Sequence, residues 1–172
     1  RVAWGRLCRL LTLGNRRTIK GTCELYLADL LEWGEDINLT VMPPLQGEPA
    51  AGSSDTETSN DPLPTCLGQL KSAFGSAVRL AMVPAHDGFD RLRLTRLTLM
   101  AKQCGVPIIA SNDALYHTPA RRADQDVITA IRHHKPVARC GRLLAAHAER
   151  HLKSANEMAR LLRDWPQALN ET

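Results

Sequence analysis

The stretch "ASNDALYHTP" at 110–119 gathers an aspartate, a tyrosine and a histidine directly after an apolar run, "GVPII". Carboxylate oxygens and imidazole nitrogens are the donors that hold a divalent cation, acidify a bound water and clamp a phosphate. Asp113 and His117 are candidate metal ligands here, and His86 in "VPAHDGFD" follows another apolar run and could reach the same rim. Between the first two stands Leu115, whose side chain offers no lone pair. His147 and His151 in "HAERH" are four apart, a spacing that can hold zinc on one helix face. Their glutamate is misplaced for an HExxH motif, so a solvent-facing pair on a charged helix is expected instead. His133 and His134 close a predicted helix, where the dipole favours imidazolium. Arg16, Arg17, Arg121 and Arg122 are candidates for touching a phosphate backbone, although Asp124 and Asp126 stand ready to pair with the last two. No glycine-rich phosphate loop and no Ser–His or Cys–His triad is recognisable.

The elements that must carry these groups follow from periodicity. "VAWGRLCRLLTLG" has leucines at helical spacing among arginines and is predicted to end at Gly14. "LADLLEWG" reads as a short helix stopped at Gly34, and "INLTVM" (37–42) as a strand closed by Pro43-Pro44. Residues 46–64 are rich in Gly, Pro, Ser, Thr and acids, and are expected to be a mobile surface loop. "TCLGQLKSAFG" then reads as a helix, "AVRLAMV" (77–83) as a strand, "FDRLRLTRLTLMAKQCG" as a helix capped by Gly105, and "VPIIAS" as a strand. This alternation implies right-handed βαβ units and a parallel sheet, with ligands collecting at the carboxyl ends of its strands. The remainder is predicted helical in three segments: "RRADQDVITAIRHH", "CGRLLAAHAERHLK" and "SANEMARLLRDW". In the last, Ser154 and Glu157 form a capping box and Pro166 enforces the stop. Trp4, Trp33 and Trp165 are expected as core anchors on helices.

At 172 residues the chain is long enough for a sizeable core. No apolar run approaches the roughly 20 residues of a membrane span, and no secretory signal pattern opens the chain. Five cysteines without a CxxC pair argue against a zinc ribbon or a disulfide framework, and buried thiols in a reducing compartment are expected. Charge is uneven: 1–23 holds bases without acids, and 32–64 acids without Lys or Arg. The small net charge of +4 fits a nucleic-acid partner, but a plain solvated surface is the better reading of it taken alone.

Three segments, "RLCRLLTLGNRRTIKGTCELYLADLLEW", "VPIIASNDALYHTPARRADQDVITAIRHH" and "AERHLKSANEMARLLRDWPQAL", resemble consecutive parts of the N-terminal PHP domain of bacterial C-family DNA polymerases. The resemblance is strongest to the error-prone, translesion relatives of the DNA polymerase III alpha subunit. It implies a distorted α/β barrel related to metal-dependent phosphoesterases, with ligands at the carboxyl ends of its strands. The family's strand-end motif is similar to Asn-Asp-x-His-Tyr, and its histidine position is Leu115 here, so Asp113, His86 and His117 are expected to form a degenerate site. The expected architecture is a partial PHP barrel over 1–140, lacking its opening strand, then a helical segment over 141–172 leading towards a palm domain. As a fragment, the chain is expected to be inactive, marginally stable and prone to associate. No cofactor is expected for it alone. Magnesium would serve the parent polymerase, and zinc or manganese only a working PHP site. DNA, the palm and thumb domains of the same parent and a cytoplasmic location complete the implied setting. A stand-alone metal-dependent phosphoesterase and a small nucleic-acid-binding module using its basic ends are the competing functions.

Overall fold

The structure, a computed structural model, describes residues 1–44 and 62–172. The loop expected over 46–64 lies mostly outside the described residues, and its end is already helical, since α3 begins at Leu63. The fold is mixed α/β. A three-stranded sheet has the order β1-β2-β3, with β1 at Leu39–Val41, β2 at Val78–Met82 and β3 at Ile108–Ala110. β1 and β2 run parallel, Leu39 opposite Val78 and Val41 opposite Leu80. The Leu80 N–H donates to Pro107 O and the Ser111 N–H to Met82 O, so β3 advances in the same direction as β2. The reason is in the sequence: β2 is apolar on both faces, as a strand covered from both sides must be, and only Arg79 within it is more than buried-level exposed.

The chain divides into two compact units. The first comprises Arg1–Ala81 and Arg96–Ile108. It holds α1 (Val2–Arg16), α2 (Leu27–Trp33) and α3 (Leu63–Phe74), and its buried side chains include Leu10, Leu67, Leu70, Val78, Leu80 and Leu97. The second comprises Met82–Thr95 and Ile109–Thr172, with α5 (Arg122–Arg132), α6 (Ala155–Leu161) and α7 (Pro166–Asn170). Its buried side chains include Met82, Leu94, Tyr116, Leu162 and Trp165. The helix α4 (Asp90–Gln103) contributes to each unit, and the expected boundary at 140/141 falls within the second unit's range.

Several local expectations are corrected. Helix α1 does not stop at Gly14 but runs to Arg16, and Gly14 is buried within it. A Cβ there would lie 2.6 Å from Cys23 Sγ and 2.9 Å from Leu25, so the glycine permits close packing rather than a cap. Gly105, by contrast, has φ +65 and ends α4 as expected. Trp165 is buried, but Trp4 is 70% exposed, because α1 buries the face of Leu10 and Gly14, which Trp4 does not share. Trp33 is half-buried with the Arg9 guanidinium 4.4 Å above its ring. Of the cysteines only Cys140 is buried; Cys8 and Cys23 are exposed, because the segments carrying them lie on the surface. No described helix is long and apolar enough to cross a membrane.

Candidate functional site

The candidate residues gather in the second unit, where the chain leaves β2 and β3. After β3 the chain passes through Asn112 and Asp113 without regular structure. Asp113 has φ +44, a conformation that Asn and Asp adopt more readily than most residues, and its N–H donates to Ser111 Oγ at 3.1 Å. After β2, His86 has φ +55, and the N–H groups of Ala85 and His86 donate to the Asp90 carboxylate at 2.7 and 2.9 Å. Asp90 also pairs with Arg93, which reaches Asp87 at 2.7 Å. The Phe89 N–H, with Arg93, holds the Asp87 carboxyl below its usual range.

Facing these residues is the segment "HAERHLK", 147–153, and it is not helical. It bends at 146–148, and then 150–152 run beside 115–116: the Leu115 N–H donates to Arg150 O at 2.8 Å, the Leu152 N–H to Tyr116 O at 3.0 Å, and Tyr116 pairs with His151 in a parallel bridge. Two side chains explain why the helical preference loses. The Asn112 amide donates to Glu149 O at 3.0 Å and His151 O at 2.6 Å, and Arg150 Nε donates to Asp113 O at 3.1 Å. Each of these contacts requires an extended backbone whose polar groups face outward. Four residues at every second position, His147, Glu149, His151 and Lys153, then form one linked group.

The hydrogen bonds assign their protons. His147 Nδ1 accepts from the Glu149 N–H at 3.2 Å, so Nε2 carries the proton and donates to Ala85 O at 2.7 Å. His151 donates from Nδ1 to Ala148 O at 2.9 Å and accepts at Nε2 from Lys153 at 3.3 Å. The Lys153 ammonium is buried and lies 2.7 Å from Glu149 Oε2, which draws the Glu149 carboxyl below its ordinary range. His86 packs edge-on against His147, ring centroids 5.4 Å apart, with its Nε2 buried, 3.9 Å from Glu149 Oε2 and without a hydrogen-bond partner. Burial holds its pKa below the usual histidine value.

This arrangement meets the expected metal ligands unevenly. Asp113 carries a carboxylate, but Arg150 binds that carboxylate as well as the residue's carbonyl. His117 is exposed, and Leu115 is half-exposed at 41%. His86 is brought to His147 and Glu149, both outside the expected trio. Neither His147 nor His151 keeps an uncommitted nitrogen, so the four-residue spacing does not create a zinc pair. Among the described residues no three His, Cys, Asp or Glu side chains are grouped to hold a metal ion. The residues missed from the sequence are His147, Glu149 and Lys153 as members of one cluster. No local pattern marked them, because Arg150 breaks any polar–apolar alternation and the segment forms only an isolated bridge at His151.

The arginine candidates are likewise mostly engaged. Arg17 binds Asp29 and lies over the Tyr26 ring at 5.0 Å. Arg121 pairs with Asp124 at 2.9 Å, and Arg122 donates to Ala145 O at 2.6 Å and lies 3.8 Å from Asp126. Arg16 is exposed at the end of α1.

Comparison with known proteins gives the context. The chain is 47% identical over 173 residues to a protein of Sinorhizobium medicae named "Error-prone DNA polymerase". It is 49% identical over 174 residues to one of that name from Mesorhizobium japonicum, and 48% identical over 172 residues to "Error-prone DNA polymerase 1" of Rhizobium meliloti. In each case all of this chain is aligned. The whole chain matches a segment of error-prone DNA polymerases. That segment is 14–15% of those polymerases' length. No family model matches the chain. The Asn112–Asp113 pair and the 147–153 segment both lie within the span shared with the error-prone polymerases.

Proposed function

We propose that this chain is the PHP-type portion of an error-prone DNA polymerase and serves there as a structural support, not as a hydrolase. The reading combines the whole-chain match with one feature of the site. The Asp113 carboxylate, the best candidate ligand, is already neutralised by Arg150, and a guanidinium at that place repels any cation that would compete for it. The same interaction locks 147–153 against the end of β3. Residues suited to grip a metal are here used to join two stretches of backbone. In this reading the sheet is part of a distorted PHP barrel. Nucleotidyl transfer, magnesium, DNA, the palm and thumb and a cytoplasmic setting belong to the longer polymerase.

The test is metal loading followed by hydrolysis. The purified chain is equilibrated with zinc or manganese, dialysed and assayed for bound metal and for cleavage of bis(p-nitrophenyl) phosphate. Substoichiometric metal and no cleavage are expected. One equivalent of metal that is lost in Asp113→Ala would overturn the proposal and favour a stand-alone phosphoesterase.

A further inference from the structure

Two exposed apolar surfaces of this chain match each other in shape and in charge. The first is a groove of about 400 Å³ between α2 and α3. Leu27, Ala28 and Leu31 form its α2 wall, and Gln69, Ser72 and Ala73 its α3 wall. Leu27 and Leu31 are exposed, although leucines four apart on a helix ordinarily turn towards a core. Ser72 and Ala73 are small, so another helix can approach α3 closely there. The second surface is the face of α5 formed by Val127, Ile128 and Ile131, all exposed. A groove between two helices accepts the side-chain ridge of a third, and adjoining aliphatic side chains on one helix face are such a ridge.

Charge fixes the match. Glu32 stands four residues beyond Ala28, on the rim of the groove, and Arg132 four residues beyond Ile128, on the rim of the ridge. Both are exposed, and neither has an ion-pair partner among the described residues. The other charge beside the ridge, Asp124, is already paired with Arg121 at 2.9 Å. The groove therefore carries an uncompensated anion and the ridge an uncompensated cation. We infer that α5 of one copy of this chain seats in the α2–α3 groove of a second copy, with Arg132 against Glu32. Groove and ridge are different surfaces, so the contact is head-to-tail, and every open assembly keeps one groove and one α5 for a further copy. The inference stands apart from the structural role proposed above, because it requires neither a metal nor the rest of a polymerase.

The experiment uses the whole 172-residue chain and reads mass by light scattering coupled to size exclusion. Leu31→Glu places a charge in the groove, and Ile128→Glu/Ile131→Glu places two on the ridge. Each variant alone is expected to be monomeric where the parent associates, its self-affinity lowered at least about tenfold. Mixed one to one, the two are expected to form a complex that stops at two chains, because the first keeps its α5 and the second its groove. Glu32→Arg and Arg132→Glu should each weaken self-association about threefold, and the chain carrying both should recover it. This exchange of charges decides the matter if Leu31→Glu loses the parent's circular dichroism. A folded Leu31→Glu variant that associates as the parent does overturns the inference. So does a mixture that forms no pair, a charge exchange that recovers nothing, or a parent that is monomeric throughout.

Discussion

Asp29 is a buried charged residue, 7% exposed, and its environment explains why the charge is tolerated there. Arg17 binds both carboxylate oxygens, and the Tyr26 N–H donates to Oδ2 at 2.8 Å. The Arg17 contact first, and the Tyr26 N–H second, draw the carboxyl from 3.8 down to about 2. Because the folded state holds the proton less readily than the unfolded chain, the stabilisation is complete above the unfolded pKa. It disappears as pH falls through the window between 3.8 and about 2. Arg17 stays charged throughout, since its own pKa is raised, chiefly by the same contact. Replacing Asp29 by Asn should therefore lower stability near neutrality, and denaturant melts of parent and variant should converge as pH drops through that window. A gap that stays constant down to about pH 2 would show that the ion pair contributes nothing specific. The contrast with Asp113 is instructive. Both aspartates are bound by an arginine, yet only Asp29 also caps a helix start, accepting the Tyr26 N–H ahead of α2. Asp113 instead ties one loop to another segment.

At the scale of elements, the glycines separate packing from propensity. Gly34 has an ordinary backbone, φ −86 and ψ 2, yet a Cβ there would stand 2.5 Å from Leu30 O and 2.9 Å from the Phe74 ring. Gly68, exposed within α3, would present its Cβ to nothing within 4 Å. Gly34→Ala should destabilise by about 1–3 kcal/mol through overpacking. Gly68→Ala should stabilise by about 0.5–1 kcal/mol through helix propensity. Urea melts of the two variants check this, and shifts of the same sign would contradict the packing at Gly34. The same distinction explains what the sequence made legible. β2 and β3 were readable because apolar runs of that length bounded by helices have few other uses, and the intervening helices required them to be parallel. Of the expected capping box, the Ser154 half forms, its hydroxyl accepting the Glu157 N–H at 3.3 Å at the start of α6. The segment 147–153 was not readable as non-helical. Alanines and leucines at 143–148 favour a helix locally, whereas the deciding contacts come from Asn112 and Asp113, more than thirty residues away. Of the candidate site, His86 and Asp113 were found as strand-end residues, but their partners were supplied by a segment misread as helical. Gly14 was misread for a similar reason: the side chains that crowd it, Cys23 and Leu25, are invisible to a local pattern.

At the scale of the whole chain, the balance between buried and exposed apolar surface bears on how the molecule behaves in solution. Helix α5 presents Val127, Ile128 and Ile131 at 48, 51 and 68% exposure. Spaced i, i+1 and i+4, they adjoin on one face, and contiguous apolar surface of this kind favours association. In the described sheet, β1 and β3 stand at the ends of the strand order, each three residues long, so their backbone groups offer only short templates for pairing with another chain. The α5 face is therefore the stronger driver of self-association. Light scattering coupled to size exclusion should give a mass that rises with protein concentration, together with a broad, low thermal transition. Ile128→Glu/Ile131→Glu places two like charges on the patch without disturbing a buried side chain, and should return the chain to a monomer over the same concentrations. If both residues are replaced and the concentration dependence persists, the sheet edges become the responsible surface. A parent that is monomeric throughout and melts in one sharp, high transition would remove the premise, since the exposed isoleucines would then carry no measurable cost.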